Sequence, residues 1–322
     1  MEDILTFCVA GGSGFIGRHL IPKLSGNINY KLRYLSIEDQ NIFSDLSNVS
    51  HIKGNLLDPD SVDQFVSGSD ILINLAYLAN ESTDVNLKAV ENLLRAAEFS
   101  NVRRFIHCST AVVAGNVSAP IVNEQTGLNP VTAYEKTKCQ IEYFLKERKT
   151  SKLELAVVRP TAVFGPYGSN LNKIIRDHLQ DSPLTAFIKK ALFSDRALNL
   201  VSVENVTDAI IFLSQVPASI NNEIFIISDD CYVENNYMFV SGKIEEHFGL
   251  RRQLSPKVVL PKWILRFLLY AAGKRSVDPQ RRYSAEKLEE YGFLRSRSFS
   301  ENLVEYLEWF KKNENIACHN AS

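Results

Sequence analysis

Short apolar runs recur along the first two thirds of the chain, and stretches of helical periodicity lie between them. The runs that predict buried β-strands are residues 4–10, 32–35, 49–52, 71–75, 105–108 and 155–158. The periodic stretches that predict helices are residues 15–24, 85–99 and 134–148. Strands and helices in alternation predict an α/β protein, with a doubly wound parallel sheet that helices cover on both faces.

The alternation loosens after Pro160. We expect residues 166–196 to leave the sheet for a smaller lobe, and the chain to enter the sheet again at residues 198–203 and 223–228. From residue 239 onward the pattern is mostly helical. The predicted units are a sheet domain of residues 1–165 plus 197–228 and a C-terminal lobe of residues 166–196 plus 229–322.

Charge and composition exclude several classes of protein. The chain has 322 residues, and 36 Lys and Arg against 37 Asp and Glu give a net charge of -1, whereas nucleic-acid binders usually carry a basic excess. The odd number of cysteines, 5, includes no CxxC pair, so we expect neither disulfides nor a metal site. No basic region precedes the first apolar run, and no apolar segment approaches the ~20 residues of a membrane span. We therefore expect a cytoplasmic protein that contacts neither membrane nor nucleic acid.

A glycine-rich turn joins the first predicted strand to the first predicted helix. Gly11, Gly14 and Gly17 allow a tight turn, close approach of the backbone to a pyrophosphate, and close packing of helix on strand. Phe15 and Ile16 lie in the first helical turn, where free N–H groups favour an anion. The position of the turn favours a dinucleotide-binding, Rossmann-type domain over a glycine-rich turn that binds nothing.

The end of the second predicted strand bears on which dinucleotide binds. Ser36 lies where NAD-binding folds usually place an acid that binds the adenosine ribose. Without that carboxylate a 2′-phosphate is not repelled, and Arg33 could pair with it. This favours NADP(H) at least as much as NAD(H), although Glu38 or Asp39 could restore a preference for NAD(H) if the strand is longer.

Tyrosine, lysine and hydroxyl side chains provide candidate chemistry. Tyr134 and Lys138 are four residues apart in a predicted helix, so they share a face, and we expect the ammonium to lower the pKa of the phenol. Ser109 and Thr110 follow the strand at 105–108, at the edge where ligands bind in open α/β sheets. A solvated helix face and a turn-capping hydroxyl are the alternatives for these two motifs.

The ordered motifs resemble those of the extended short-chain dehydrogenase/reductases, in the nucleotide-sugar epimerase/dehydratase branch. The matching pieces are GGSGFIG at 11–17, GNLLD at 54–58, NLA at 74–76, Asn86, ST at 109–110, Tyr134 with Lys138, and RPTAVFGP at 159–166. The resemblance implies that Tyr134 is the acid/base, that Lys138 orients the nicotinamide ribose, and that Thr110 binds the reacting oxygen. It also implies further cofactor contacts, at Asp58, Leu75, Ala76, Asn92 and Pro160.

The same resemblance suggests the substrate. Segments 260–274 and 283–293 resemble the ends of bacterial 4-ketoreductases and 4-epimerases that act on nucleotide-diphosphate sugars. The implied substrate-binding residues are Ser109, Thr110, Asn170, Arg196 and Arg281, with Arg282 beside them. For each arginine, exposed surface charge is an equal alternative. Family members often dimerise through helices corresponding to 85–99 and 134–148, so we expect a homodimer.

The expected reaction is reduction of the C4 carbonyl of a nucleotide-linked 4-keto-6-deoxy sugar, in bacterial surface-polysaccharide synthesis of the O-antigen or lipopolysaccharide type. An NAD-dependent 4-epimerase is the alternative. Dehydration is less favoured, because 4,6-dehydratases carry an Asp-Glu pair after the catalytic hydroxyl and this chain has Ala111 and Val112. A non-catalytic dinucleotide sensor is disfavoured because Tyr134 and Lys138 are both present. Ala114 and Phe164 replace aromatic residues typical of the family, which affects the assignment of the sugar only.

Overall fold

The computed structural model describes residues 4–148, 152–250, 262–271 and 278–314. The strands are β1 Leu5–Ala10, β2 Tyr30–Ser36, β3 Val49–Lys53, β4 Ile71–Asn74, β5 Arg104–Cys108, β6 Ile121–Val122, β7 Glu154–Pro160, β8 Ala162–Phe164, β9 Leu200–Ser202, β10 Glu223–Ile227 and β11 Arg282–Tyr283. The helices are α1 Phe15–Ser25, α2 Pro59–Val66, α3 Thr83–Phe99, α4 Ala133–Lys146, α5 Asn172–Gln180, α6 Pro183–Phe193, α7 Val203–Gln215, α8 Tyr237–Phe248, α9 Lys262–Ala271, α10 Glu286–Glu290 and α11 Phe299–Asn313, with a 3-10 helix at Ala111–Ala114.

Seven parallel strands form the large sheet, in the order β10-β7-β5-β4-β1-β2-β3. Alternate residues of its interior strand β1 enter two different cores. Phe7 and Val9 pack with α1 and α7 on one face, and Cys8 and Ala10 pack with α2, α3 and α4 on the other. The predicted α/β class and the sheet covered on both faces are confirmed.

The strand order places a topological switch point between β1 and β4. From β1 the chain proceeds outward through β2 and β3, and from β4 it proceeds outward in the opposite direction. In open α/β sheets, ligands bind at the carboxyl ends of the strands on either side of such a point. The turn after β1 and the segment after β4 therefore lie side by side at the edge of the sheet where a ligand is expected to bind.

Two expectations about the second half of the chain have different outcomes. Residues 223–228 do enter the large sheet, since β10 pairs with β7 at its edge. The prediction that residues 198–203 enter that sheet is wrong, because β9 pairs instead with β8 in a separate two-stranded sheet. Apolar content alone cannot identify the partner of a short strand. The resembling segment 260–274 lies partly outside the described residues.

The C-terminal region has its own core and returns to the edge of the sheet. Residues of α5, α8 and α11 pack around Phe164, with Ile175, Ile244 and Leu303 among the buried members. Further along, β11 pairs in parallel with β6, in the loop between β5 and α4. This pairing brings C-terminal residues beside the carboxyl end of β5. Among the helices described, none combines the length and apolar character that crossing a membrane requires.

Candidate active site at the carboxyl edge of the sheet

The turn after β1 is built for glycine. Gly11 has a φ of +77°, and a Cβ on it would lie 2.8 Å from the backbone nitrogen of Ala76. A Cβ on Gly17 would lie 2.3 Å from the carbonyl oxygen of Gly12. The turn is therefore tight both against the segment after β4 and against α1, as the glycine spacing predicted.

The first turn of α1 leaves its N–H groups available to an anion. Gly14 is the N-cap and makes no side-chain cap, and the first turn contains no acid. Phe15 packs its ring at Gly168, where a Cβ would lie 2.5 Å from Phe15 Cζ. With Ile16, these residues form a helix N-terminus without a competing carboxylate, so the turn fits the diphosphate of a dinucleotide.

The two candidate cofactor residues at the end of β2 each have a partner within the fold. Ser36 is the last residue of β2, and its hydroxyl lies 2.9 Å from His51 Nε2. Arg33 donates to the carbonyl oxygens of Phe65 at 3.1 Å and Ser67 at 2.7 Å, so its guanidinium caps the carboxyl end of α2. Because side chains alternate along a strand and the two residues are three positions apart, Arg33 and Ser36 face opposite sides of the sheet. The contacts of both residues with the cofactor stay predictions.

Two acidic residues near this edge, Asp39 and Asp58, also have partners within the fold. Asp39 forms an exposed ion pair with Lys53 at the end of β3, with 2.6 Å between Oδ1 and Nζ. Asp58 caps α2, accepting from Ser61 Oγ at 2.5 Å, and this hydrogen bond lowers the pKa of its carboxyl. Contact of Asp58 with the cofactor stays a prediction.

Two asparagines of α3 act within the fold. Asn92 is buried and donates to the carbonyl oxygen of Leu56 at 2.9 Å. Its contact with the cofactor stays a prediction. Asn86 accepts from Leu78 N at 3.0 Å and donates to the carbonyl oxygen of the same residue at 3.0 Å. Asn86 thereby fixes the loop that follows β4.

The segment after β4 packs against the glycine turn, and its contact with the cofactor, which the family resemblance implies, stays a prediction. Leu75 and Ala76 lie against Gly11, and Asn74 Oδ1 accepts from Ala76 N at 3.0 Å. Asn74 Nδ2 also lies 3.0 Å from Nδ1 of His107, a fully buried residue. Burial, together with the charge of Lys138, holds the pKa of His107 well below its ordinary value. His107 is therefore a neutral, fixed part of this edge.

The structure brings Thr110, Tyr134 and Lys138 together. Thr110 is the N-cap of the 3-10 helix, its hydroxyl accepts from Val112 N at 3.4 Å, and it lowers the pKa of Tyr134. Tyr134 is 39% exposed in the first turn of α4, and Lys138 is 3% exposed one turn later. Lys138 Nζ donates to the carbonyl oxygen of Cys108 at 3.0 Å, at the end of β5. Ser109 is buried beside them, and its hydroxyl has no partner among the described residues.

The electrostatics of this group differ from our expectation. The pKa of Tyr134 is raised to about 12, chiefly by burial and then by the Cys108 thiol, and Thr110 only partly opposes this. Burial also lowers the pKa of the Lys138 ammonium. The prediction that Lys138 lowers the pKa of Tyr134 is wrong for this structure. The phenol is protonated at neutral pH.

Two residues of the cluster were not singled out from the sequence. The ring of Tyr77 lies 4.9 Å from that of Tyr134, with 85° between the ring planes, and its centroid is 5.0 Å from Lys138 Nζ. Tyr77 directly follows Ala76 in the sequence, and that position was the signal that could have indicated Tyr77 as part of the site. Glu142, one turn after Lys138 on the same helix face, is bonded to Arg159 Nε at 3.1 Å.

Three other predicted ligand residues, Asn170, Arg196 and Pro160, have local partners within the fold. Asn170 is exposed and donates to the carbonyl oxygen of Val163 at 2.9 Å. Arg196 lies over the ring of Phe193 at 5.6 Å, and its buried Nε has no hydrogen-bond partner among the described residues. Burial lowers the pKa of Arg196. Pro160 is buried at the end of β7, paired with Ile227. Their contacts with ligands stay predictions.

Arg281 has a role that its sequence position did not indicate. Its guanidinium donates to the carbonyl oxygens of Gly115 at 2.7 Å and Val117 at 2.6 Å, and the side chain is buried. Arg281 thus holds the loop after the 3-10 helix, and substrate binding by it stays a prediction. Arg282 is exposed and donates to the carbonyl oxygen of Asp230 at 3.1 Å. A cavity of about 180 Å³ lies between Arg281, Val112 and the start of α4.

A glycine turn at the switch point, followed by a hydroxyl, a tyrosine and a lysine at the carboxyl edge, defines a dinucleotide-dependent enzyme fold. The sequence matches the NAD dependent epimerase/dehydratase family over residues 7–228, more than half of the chain. The chain therefore belongs to this family, which is NAD-dependent. In the parts of the chain that the structure describes, no group of three or more His, Cys, Asp or Glu residues could hold a metal ion.

The chain is similar to several proteins of known name. It is 28% identical over 181 residues to dTDP-glucose 4,6-dehydratase of Streptomyces niveus, covering 49% of this chain and 54% of that protein. It is 28% identical over 166 residues to an N-acetyl-α-D-glucosaminyl-diphospho-undecaprenol 4-epimerase of Escherichia coli O157:H7, covering 48% of each. These matches span about half the length of the curated relatives. A match to human dTDP-D-glucose 4,6-dehydratase is 24% identical and covers 95% of this chain and 89% of that protein.

Solved structures with the same fold cover nearly the whole chain. The dTDP-glucose 4,6-dehydratase of Bacillus anthracis, in complex with NAD, has a TM-score of 0.74 at 18% identity and covers 97% of this chain and 98% of its own. The UDP-glucuronic acid 4-epimerase of Bacillus cereus, in complex with UDP-glucuronic acid and NAD, has a TM-score of 0.72 at 19% identity, covering 96% and 99%. These likenesses show the fold.

Proposed function

We propose that this protein is an NAD(P)H-dependent reductase of the C4 carbonyl of a nucleotide-linked 4-keto-6-deoxy sugar. The observation that supports this reaction over dehydration is the chemistry of the 3-10 helix beside Thr110. Its four residues are Ala111, Val112, Val113 and Ala114. Elimination of water from the sugar needs one group to remove the C5 proton and another to protonate the leaving hydroxyl, and none of these side chains can transfer a proton.

The residues at the carboxyl edge account for the proton side of the reduction. The coenzyme, when bound, supplies the hydride to the carbonyl carbon. Thr110 donates a hydrogen bond to the carbonyl oxygen, and Tyr134 gives its phenolic proton to that oxygen. Because the pKa of Tyr134 is raised to about 12, the phenol holds its proton at neutral pH, which is the state a general acid requires.

The nucleotide-sugar substrate is supported by relatives and by one side chain. Relatives at about half coverage act, by name, on dTDP-glucose or on a sugar diphosphate carried by undecaprenol. Arg196 presents a buried Nε without a hydrogen-bond partner in the described part of the chain. A guanidinium can donate two hydrogen bonds to diphosphate oxygens. We propose Arg196 as the diphosphate ligand, and synthesis of surface-polysaccharide sugars of the lipopolysaccharide type as the setting.

We also propose a homodimer formed through α3 and α4. Aromatic side chains are exposed on these helices, Phe99 at the end of α3 and Tyr143 on α4. Sedimentation of the purified chain tests this proposal, and a single species of monomer mass at micromolar concentration would overturn it.

A 4-epimerase is the second candidate. The 4-epimerase relative in E. coli and the 4-epimerase fold neighbour in B. cereus favour it, and it needs no carboxylate pair at the 3-10 helix either. An epimerase must first oxidise C4, and Tyr134 would then have to accept a proton. The raised pKa of Tyr134 means that this base form is scarce at neutral pH in the structure described.

The deciding experiment mixes the protein with NADH or NADPH and nucleotide-linked 4-keto-6-deoxy sugars, and follows both coenzyme absorbance and sugar products. We expect one mole of coenzyme to be oxidised for each mole of sugar reduced. Interconversion of 4-epimers without net coenzyme consumption would replace the reductase by the epimerase. Release of water from a nucleotide-linked 4-hydroxy sugar would overturn both. Tyr134→Phe serves as the catalytically impaired control.

A further inference from the structure

Tyr77 lies directly after the predicted cofactor-lining segment and contacts both members of the acid/base pair. We propose that Tyr77 is a positioning residue: its ring face holds the Lys138 ammonium, and its contact with Tyr134 fixes the orientation of the phenol. The catalytic consequence rests on the proposed function, whereas the two contacts themselves do not.

The Lys138 ammonium needs a partner that the Tyr77 ring supplies. An ammonium has three N–H donors, and Lys138 Nζ makes a hydrogen bond to the carbonyl oxygen of Cys108 at 3.0 Å. Glu142, the carboxylate one helical turn away, is already bonded to Arg159 through both of its oxygens. Lys138 is 3% exposed, and the centroid of the Tyr77 ring lies 5.0 Å from Nζ. Cation–π attraction is strongest where the cation is removed from water, as here.

The contact between Tyr77 and Tyr134 orients the general acid. The two rings are 4.9 Å apart at 85°, in the edge-to-face arrangement that aromatic pairs prefer. Tyr134 lies in the first turn of α4 and is 39% exposed, so the helix packs it on one side only. Tyr77 restricts the ring from a second direction. The phenol is thereby kept near Thr110, which lowers its pKa.

The backbone presents Tyr77 rigidly. Just before it, Ala76 N donates to Asn74 Oδ1 at 3.0 Å. Just after it, Leu78 N donates to Asn86 Oδ1 at 3.0 Å. Gly11 also packs against Ala76, so the position of Tyr77 is tied to the glycine turn. Because the backbone is held on both sides of Tyr77, its ring can keep two flexible side chains in place, as a positioning residue must.

The test compares Tyr77→Phe, which keeps the ring, with Tyr77→Leu and Tyr77→Met, which remove it. Tyr30→Leu is the matched control, because Tyr30 packs its ring on Phe7 at the opposite, amino edge of the sheet. We expect Tyr77→Phe to keep kcat within about twofold, and both aliphatic variants to lower kcat on the order of tenfold to a hundredfold, the scale of a misplaced catalytic group. The Kd for coenzyme should change by less than about threefold, a difference too small to be a lost binding contact.

A second readout does not depend on turnover. The pKa of Lys138 is followed by NMR of protein labelled at the lysine Cε, with Lys138→Arg to assign the signal. Loss of the ring partner should lower the pKa of Lys138 further in Tyr77→Leu and Tyr77→Met but not in Tyr77→Phe or Tyr30→Leu. An unchanged pKa in both aliphatic variants would overturn the proposal. So would equal loss of kcat in Tyr77→Phe and Tyr77→Leu, since the hydroxyl would then be the active part.

The two readouts separate this inference from the proposed function. If the wild-type protein reduces no 4-keto sugar, the proposed function fails and the NMR titration still decides whether Tyr77 holds Lys138. If the wild-type protein is active and the titration is flat across the Tyr77 variants, the inference fails and the proposed function stands. Because Tyr77→Met retains a long apolar side chain, it provides a folded variant if Tyr77→Leu unfolds.

Discussion

Arg159 of β7 and Glu142 of α4 form an ion pair in which each side chain is 4% exposed, one helical turn from Lys138. Arg159 Nε lies 3.1 Å from both carboxylate oxygens of Glu142. Glu142 also favours the charged form of Lys138, because its negative charge raises the pKa of the ammonium against the effect of burial. The pair therefore affects both the stability of the sheet and the electrostatics of the candidate active site.

The first prediction is that Glu142→Gln lowers stability strongly. The substitution leaves the Arg159 guanidinium buried without its counter-charge, which costs about 3–5 kcal/mol when one partner of a buried pair is removed. Urea unfolding measures the loss. The surface pair of Lys88 and Glu91, 2.9 Å apart and about half exposed, provides the control: Glu91→Gln should change stability by less than about 1 kcal/mol. Equal effects of the two variants would contradict the prediction.

The second prediction concerns the glycine turn. Gly11→Ala introduces a Cβ 2.8 Å from Ala76 N at a φ of +77°, so the turn must open and the coenzyme affinity should fall at least about tenfold, or 1.4 kcal/mol. Gly68→Ala is matched in backbone strain, with a φ of +64°, but nothing lies within 4 Å of its Cβ. It should lose stability by about 1 kcal/mol and keep its coenzyme affinity. Titration of NADH fluorescence distinguishes the two variants, and retained affinity in Gly11→Ala would refute the close-approach argument.

The sequence sufficed for most strands of the large sheet and for bringing Tyr134 and Lys138 onto one helix face, because both depend on local patterns. The apolar runs and the glycine spacing predicted β1, α1 and the turn between them, and the four-residue spacing placed Tyr134 and Lys138 on one face of α4. Patterns of this kind are short and are set by the geometry of a single element.

Other features depend on contacts between distant segments, which a local pattern does not contain. Arg33 carries a guanidinium, which suits a phosphate, yet it donates to the backbone carbonyl oxygen of Phe65, 32 residues away along the chain. β9 resembles a strand of the large sheet but pairs with β8. The pKa of Tyr134 is raised chiefly by burial and then by Cys108, which lies at the end of β5, so the neighbouring Lys138 alone gave the wrong direction.

The third prediction tests coenzyme selection at the end of β2. Ser36→Asp introduces a carboxylate at the position where NAD-binding folds usually have one. There we expect it to repel a 2′-phosphate. The ratio of the Kd for NADPH to the Kd for NADH should therefore rise by about tenfold or more, or 1.4 kcal/mol. Both constants are measured by coenzyme fluorescence at one ionic strength.

Arg33→Met supplies the control for this experiment. Because Arg33 caps α2 through Phe65 and Ser67, its loss should lower stability while leaving the ratio of the two constants unchanged. A change of that ratio in Arg33→Met, with none in Ser36→Asp, would assign the 2′-phosphate contact to Arg33.

The fourth prediction is the pH dependence of carbonyl reduction. Burial raises the pKa of Tyr134 to about 12, so the phenol is protonated, and competent as an acid, at every pH well below that value. Activity that depends on this proton is present at neutral pH and is lost only as the pH rises toward the raised pKa. We therefore expect kcat to show no fall with a midpoint near pH 7, and Tyr134→Phe to lower kcat about a hundredfold or more with coenzyme affinity retained. Stopped-flow oxidation of NADH between pH 6 and 9, with saturating substrate, measures both. A fall of kcat centred near pH 7 that is absent in Tyr134→Phe would show that ligand binding lowers the pKa of the phenol, as the pairing with Lys138 alone would suggest.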